Sequence, residues 1–399
     1  VRLRNYLQNK IIDVYTHSGF EHIMTPVIED IENLDKSEGG ENLNLIFKIM
    51  KRGDKLSKAV EKGDVKDLAD MGLRYDLTLP LSRYYANNKA DLILPFKTIQ
   101  VDRVYRAERP QKGRLREFVQ CDIDIIGSKS YTCEIELIAT TAKALLAINI
   151  GGFKIKVNDR RILKAVLTSM GFVEDELDSV CIVFDKLDKI GKDGVCAELA
   201  DKGFESGAID KFAEFLDREC ISLEDVKKLI TEDDMQYVSQ LETIINESLA
   251  IADGKYDVVF DISLVRGQGY YTGTIFEVES TSFKGAIAGG GRYDNLIGKF
   301  TNENIPAVGF SIGFERIFSI LNEKGYKPVD TEKHVALFYN ADEYSKAYEL
   351  AEELRKEYNV SILERPKKLG KYLDKLEKNN YYGYLVFGEG TEVKAFANN

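Results

Sequence analysis

Residues 103 to 127 read RVYRAERPQKGRLREFVQCDIDIIG, a stretch whose side chains could clamp an anion and hold an amine beside it. Arg106, Arg114 and Arg116 lie around one basic turn, and a planar guanidinium matches pairs of phosphate oxygens better than a lysine does. From Lys97 to Arg116 there are seven basic residues against two acids, in a chain of net charge −11. Such a local excess in an acidic protein argues for a specific anionic ligand over general adhesion to nucleic acid. Arginines on an exposed turn can also be plain surface residues, so the hairpin alone leaves both readings standing.

Asp122 and Asp124 are two apart on an extended segment, and Gln120 shares their face. Three polar side chains aligned between apolar Ile123 and Ile125 would sit badly in a core, which favours a pocket for a cationic or hydrogen-bonding ligand. Later, LVRGQGYYTGTIFE sets Arg266 and the Tyr270, Tyr271 pair at the end of a strand beside two glycines. A buried arginine needs an anion; a substrate carboxylate or phosphate would serve, and so would an internal pair with Asp261. The glycine run AGGGRYD lets backbone approach a ligand, but it lacks GxGxxG or GxxxxGK[ST] spacing, so Rossmann and P-loop readings fail.

These groups need a scaffold of strands and helices to hold them. Helical spacing over residues 2–18 predicts a first helix stopped by Gly19, followed by a short extended segment through TPVIE. FKTIQVDRVYR and REFVQCDIDIIG alternate as two antiparallel strands joined by the basic loop ERPQKGR. A helix follows over residues 131–149, then a strand at KIKVND. Residues 160–250 carry helical patterns of a separate character. Strand signals return at YDVVFDISL, YYTGTIFEVES and AGGGRYDNLIG, and SIGFERIFSILNEKG reads as a closing helix. The expected class is α+β: an antiparallel sheet flanked by helices, split between residues 1–159 and 251–325 by a helical insert at 160–250. Beyond GYKPVDTEK, residues 331–399 alternate strand with helix and read as a small α/β domain. Its Arg365, Lys367, Lys368, Lys371, Lys375 and Lys378 suit either a phosphate backbone or a solvated helix face.

At 399 residues and 44% hydrophobic, the chain is long enough for two or three domains with real cores. No run of about 18 apolar residues occurs, and charges interrupt the N-terminal segment where a signal peptide would be apolar, so a cytoplasmic protein without membrane contact is expected. Five cysteines without CxxC spacing (Cys121, Cys133, Cys181, Cys196, Cys220) and three scattered histidines suggest no disulfide framework, no zinc site and no catalytic histidine.

The RAERPQKGRLREF hairpin, RGQGYYTG and GFSIGFER occur in that order, and over most of residues 10 to 320 the chain resembles histidyl-tRNA synthetases of the class II aminoacyl-tRNA synthetase fold. The resemblance implies that ATP and histidine give histidyl-adenylate and pyrophosphate, and that histidine then passes to tRNA(His). It implies that Arg106 holds the α-phosphate and the amino-acid carboxylate, and that Arg114 reaches the terminal phosphates. Glu108 and Phe118 would frame the adenine, and Arg316 would stabilise the bent triphosphate. Histidine would meet Asp76, Thr78, Gln120, Asp124, Tyr270 and Tyr271, with Asp76 at the α-amino group and Asp124 and Tyr271 at the imidazole. Arg266 would be a second catalytic arginine at the α-phosphate. Mg²⁺ would bridge phosphates with no protein metal site. TPVIE resembles the first class motif and implies a homodimer; the insert resembles one that contacts the tRNA acceptor arm, and the tail an anticodon-binding domain.

The chain departs from the family's pattern in three places. It begins without a PKGTRDF-like segment, it ends soon after VKAF, and RGQGYY stands for the usual RGLDYY, so that Gly269 replaces an acid and a weaker hold on histidine is expected. Asp124 stands where a glutamate is common, as in the eukaryote-type branch. Two competing readings share the fold: a synthetase-like regulatory subunit of ATP phosphoribosyltransferase, and a histidine-binding paralogue without aminoacylation. Retention of Arg266, Arg316 and a tail speaks against the first; Gly269 and the short tail speak for the second.

Overall fold

Alternation in FKTIQVDRVY and EFVQCDIDII builds the centre of the sheet. The strands Phe96–Tyr105 and Glu117–Ile126 pair antiparallel over their full lengths, with Thr98 opposite Asp124 and Gln100 opposite Asp122. The computed structural model describes residues 1–36, 45–109, 115–218, 221–266, 270–328 and 333–396; Arg114, Cys220 and Gly269 lie outside these. The chain divides into two compact units, Val1–Tyr326 and Lys327–Asn399.

In the first unit, an eight-stranded sheet runs in the order Glu21–His22, Phe96–Tyr105, Glu117–Ile126, Ala307–Gly313, Ala286–Arg292, Thr274–Ser280, Phe153–Asp159, Asp257–Phe260. Its inner pairs are antiparallel and the outermost pair at each edge is parallel. Because strand side chains alternate between faces, the sheet has two distinct sides. One cross-strand row, Ile99, Ile123, Phe310 and Phe276, is buried in the main core, where Phe276 and Phe310 stack with centroids 5.1 Å apart. The helices Arg2–His17, through Leu7, Ile11 and Tyr15, and Thr132–Ala147, through Leu137, Ile138 and Leu145, join that core. The neighbouring row on the opposite face is Gln100, Asp122, Ser311, Gly289, Glu277 and Lys156, and this polar face carries the site.

The helical region starts without a loop. Asp159, the last residue of its strand, accepts a hydrogen bond from the Arg161 N–H at 2.9 Å and so caps the helix Arg160–Met170. The helices Leu177–Phe184, Leu187–Asp201, Ser206–Leu216, Leu223–Lys227 and Met235–Ala252 follow, and Phe172, Phe184, Phe204 and Phe212 meet edge to face among them. The chain then re-enters the sheet at Asp257–Phe260, beside the strand it left. A separate antiparallel sheet joins Ile28–Asp30, Ala69–Leu73 and Lys48–Met50. After it, the segment TLPLSRYYANN forms the helix Thr78–Asn88.

Two local expectations are corrected. The closing helix is Phe314–Glu323, and Ser311–Gly313 complete a strand instead. The strand in YDVVFDISL ends at Phe260, so Arg266 sits past the turn at Ile262 and Ser263 rather than at a strand end. That turn is stitched down by Asn158, whose Nδ2 donates to the carbonyls of Ile262 and Leu264 at 3.1 and 2.9 Å.

In the second unit, Asn359–Glu364, His334–Tyr339 and Gly383–Val386 are parallel, and Lys394–Ala395 adds an antiparallel edge. The helices Tyr344–Leu354 and Leu369–Lys378 connect the parallel strands.

Candidate active site

Among the described residues, one pocket on the polar face of the eight-stranded sheet gathers Asp76, Thr78, Arg106, Glu108, Phe118, Gln120, Asp124, Arg266, Tyr270, Tyr271 and Arg316. Every site residue expected from sequence is therefore in one place except Arg114, which lies outside the described residues. Arg116 is not in the pocket lining; its Nε donates to the Glu108 carbonyl at 3.3 Å.

The arginines are oriented by backbone and rings. Arg106 Nε donates to the Tyr75 carbonyl at 3.0 Å, and its guanidinium carbon lies 5.0 Å from the centre of the Phe118 ring. Arg316 donates to the Ala286 carbonyl and lies 5.7 Å from the Phe283 ring. Arg266 adopts a left-handed backbone with φ of 58°, and its Nη1 donates to the Phe276 carbonyl at 3.2 Å and pairs with Glu277 at 3.4 Å. The alternative pairing with Asp261 does not form; that carboxylate pairs with Lys156 at 2.9 Å.

Opposite these cations stand three buried carboxylates. Asp76, just ahead of the helix Thr78–Asn88, accepts from the Leu79 N–H at 3.2 Å, and burial outweighs that bond and Arg106 to push its pKa up to about 6. Burial likewise pushes Asp124 up to about 7, even though it accepts a 2.5 Å hydrogen bond from the Tyr293 hydroxyl. Asp122 is held well above the usual carboxylate range by burial first and by the charge of Asp124 second. Its Oδ1 is buried with no hydrogen-bond partner among the described residues, as is Gln120 Oε1. A pocket with so much negative potential and unmet acceptor capacity is built for a ligand that brings N–H donors and positive charge. Tyr270 and Tyr271 pack at a tilt of 58° with ring centres 4.8 Å apart, and Tyr270 meets Tyr293 edge-on at 6.1 Å. Burial raises the pKa of all three tyrosines, so they serve as neutral hydroxyls.

The glycines in and beside the pocket have a further use. A Cβ at Gly289 would overlap Arg266 Nη1, one at Gly309 would overlap Asp124 Oδ1, and one at Gly291 would come within 2.8 Å of the Tyr271 ring. The glycines thus clear space for the pocket's own side chains. Sequence reasoning missed Tyr293, although it stands in AGGGRYD, and missed Glu315, which lines the pocket and pairs with Arg4. Tyr293 lies 169 residues from the carboxylate it contacts, a distance that no local pattern bridges. Asp122 was visible as a face-mate of Asp124, and the pocket includes it.

A family model described as histidyl-tRNA synthetase matches residues 1–317. A histidine–tRNA ligase of Leifsonia xyli subsp. xyli is 43% identical over 323 residues, covering 77% of this chain and 74% of the relative. That of Cytophaga hutchinsonii is 33% identical over 404 residues, covering 97% and 89%. The crystal structure of histidyl-tRNA synthetase from Nostoc sp. PCC 7120 superposes with a TM-score of 0.78 at 30% identity, over 96% of this chain and 87% of that one. A Bacillus halodurans C protein described as an ATP phosphoribosyltransferase regulatory subunit/histidyl-tRNA synthetase has a TM-score of 0.77 over 96% and 94%, but at 21% identity it shares the fold alone.

Proposed function

The chain belongs to the histidyl-tRNA synthetase family, and from that premise we propose that it activates histidine with ATP and transfers it to tRNA(His). The observation that carries this reading is the polarity of this pocket, with three arginines against three buried carboxylates and three neutral tyrosines. Histidine fits that polarity. Its α-ammonium goes to Asp76 and Thr78, its imidazole N–H to Asp124 and Tyr271, and its carboxylate to Arg106 with Gln120 and Tyr270 alongside. ATP lies towards Arg316, its adenine framed by Glu108 and Phe118 and its terminal phosphates reached by Arg114. Mg²⁺ enters with the triphosphate as part of the substrate.

In the first step a histidine carboxylate oxygen attacks the α-phosphorus, the bond from that phosphorus to the bridging oxygen breaks, and pyrophosphate leaves. Arg106 and Arg266 place fixed positive charge where the transition state accumulates negative charge, and no side chain need act as general base. In the second step a hydroxyl of the terminal adenosine of the tRNA attacks the acyl carbon and AMP departs. The same reading divides the chain into catalytic parts at 1–159 and 251–325, an insertion at 160–250 that meets the acceptor arm, and an anticodon-binding domain at 331–399. It makes the protein a cytoplasmic homodimer; Met24 and, on the outer face of the small sheet, Ile28, Met50 and Met71 are apolar and exposed beside TPVIE. Among the described residues no helix is long and apolar enough to cross a membrane.

Histidine-dependent ATP–pyrophosphate exchange, followed by transfer to a tRNA(His) transcript, tests the proposal. Exchange with transfer is the expected result. Exchange alone would remove the tRNA half of the reading, and neither would favour the regulatory or binding-only relatives.

A further inference from the structure

Arg266 lies past a turn, not at a strand end, so its aim depends on what its side chain touches. The guanidinium lies over Gly289, and its Nη1 donates to the Phe276 carbonyl at 3.2 Å and to Glu277 Oε2 at 3.4 Å. Its Nε is buried and has no hydrogen-bond partner among the described residues. With Nη1 tied down, Nε and Nη2 are the nitrogens left for a ligand. Glu277 is available for this task because its neighbours are committed elsewhere: Lys156, directly across the strand pair, takes Asp261 at 2.9 Å and Glu279 at 2.8 Å. Glu277 does not line the pocket, whereas Asp76, Asp122 and Asp124 do. An unanchored guanidinium in a low-dielectric pocket with three carboxylates would be drawn to them and would neutralise the subsite that the substrate's own positive charge requires.

We propose that Glu277 is the positioning residue for Arg266, holding Nη1 outside the cation subsite so that the rest of the guanidinium meets the α-phosphate already oriented. This rests on the adenylation reading above. Glu277 touches neither ATP nor histidine; it acts only through the arginine. Burial pushes its pKa up, and Arg266, then Lys156 and Arg316, pull it back towards the ionised form that the role needs.

The test is a double-mutant cycle with Glu277→Ala, Arg266→Ala and the double variant, read by single-turnover histidyl-adenylate formation and by calorimetric histidine binding. Glu277→Ala is expected to slow adenylation by about tenfold or more with histidine affinity changed by no more than about threefold, as for loss of orientation rather than of binding. Glu277→Gln, which keeps an acceptor for Nη1 without the charge, is expected to recover part of the rate and serves where the alanine variant folds poorly. In the Arg266→Ala background, removing Glu277 is expected to cost less than about twofold. An equal loss in both backgrounds would mean a merely structural carboxylate and overturn the inference, as would an unchanged rate. Wild-type protein that forms no histidyl-adenylate would remove the adenylation reading and this inference with it, whereas active wild type with an indifferent Glu277→Ala would remove the inference alone.

Discussion

Replacing Asp124 with asparagine should stabilise the fold at alkaline pH while weakening histidine binding. Asp124 is buried, and its pKa rises from the ordinary 3.8 to about 7. Between those values the folded chain keeps a proton that the unfolded chain has released, so the unfolded state binds fewer protons and stability falls as pH rises. At about 1.4 kcal/mol per pH unit, the penalty reaches about 4 kcal/mol above pH 7, of which less than half is already present at pH 5. The asparagine carries no such penalty, so the stability difference between variant and wild type should move by about 3 kcal/mol in the variant's favour from pH 5 to pH 8. Asp122, raised partly by the charge of Asp124, adds to the same sign. Urea unfolding at the two pH values reads this directly. Calorimetry at pH 8 should show histidine weakened by about 1.5–3 kcal/mol, roughly tenfold to a hundredfold, for the lost charge-assisted bond. An asparagine variant equally destabilised at pH 5 and pH 8 would refute the reasoning, because the carboxylate would then titrate like an exposed one.

Further outcomes follow from the same geometry. Arg266→Ala should cut ATP–pyrophosphate exchange by about a hundredfold to a thousandfold with little change in unfolding midpoint, and steady exchange would sink its assigned role. Tyr293→Phe, which removes the 2.5 Å hydroxyl contact to Asp124, should weaken histidine by about 1–3 kcal/mol and leave ATP binding unchanged; equal weakening of both would count against an imidazole-side position. Glu134→Ala should lower stability by about 3–5 kcal/mol, because the buried Arg292 guanidinium loses the glutamate that grips it through bonds of 2.6 and 2.7 Å and keeps only the partly exposed Asp294 at 3.2 Å as a charged partner; a variant as stable as wild type in urea would contradict this.

The sequence determined most of the site's membership. The alternation of EFVQCDIDII dictates that Gln120, Asp122 and Asp124 share a face and that Cys121, Ile123 and Ile125 fill the core, since the pleat leaves no other arrangement. The motifs, together with what the family resemblance implied, then named eleven residues that the pocket brings together. What the sequence could not determine was which partner each side chain finds. Arg266 stands five residues from Asp261 and eleven from Glu277, yet it pairs with the farther one, because the strand carrying Glu277 runs back past the arginine while Asp261 is claimed by Lys156. Tyr293 and Asp124 meet through the register of Ala286–Arg292 against Ala307–Gly313 and of that strand against Glu117–Ile126, a property of three strands together. The elevated carboxyl pKa values belong to tertiary structure for the same reason. They arise from the exclusion of water and the gathering of like charges from distant segments, and neither exists until the sheet closes over the pocket.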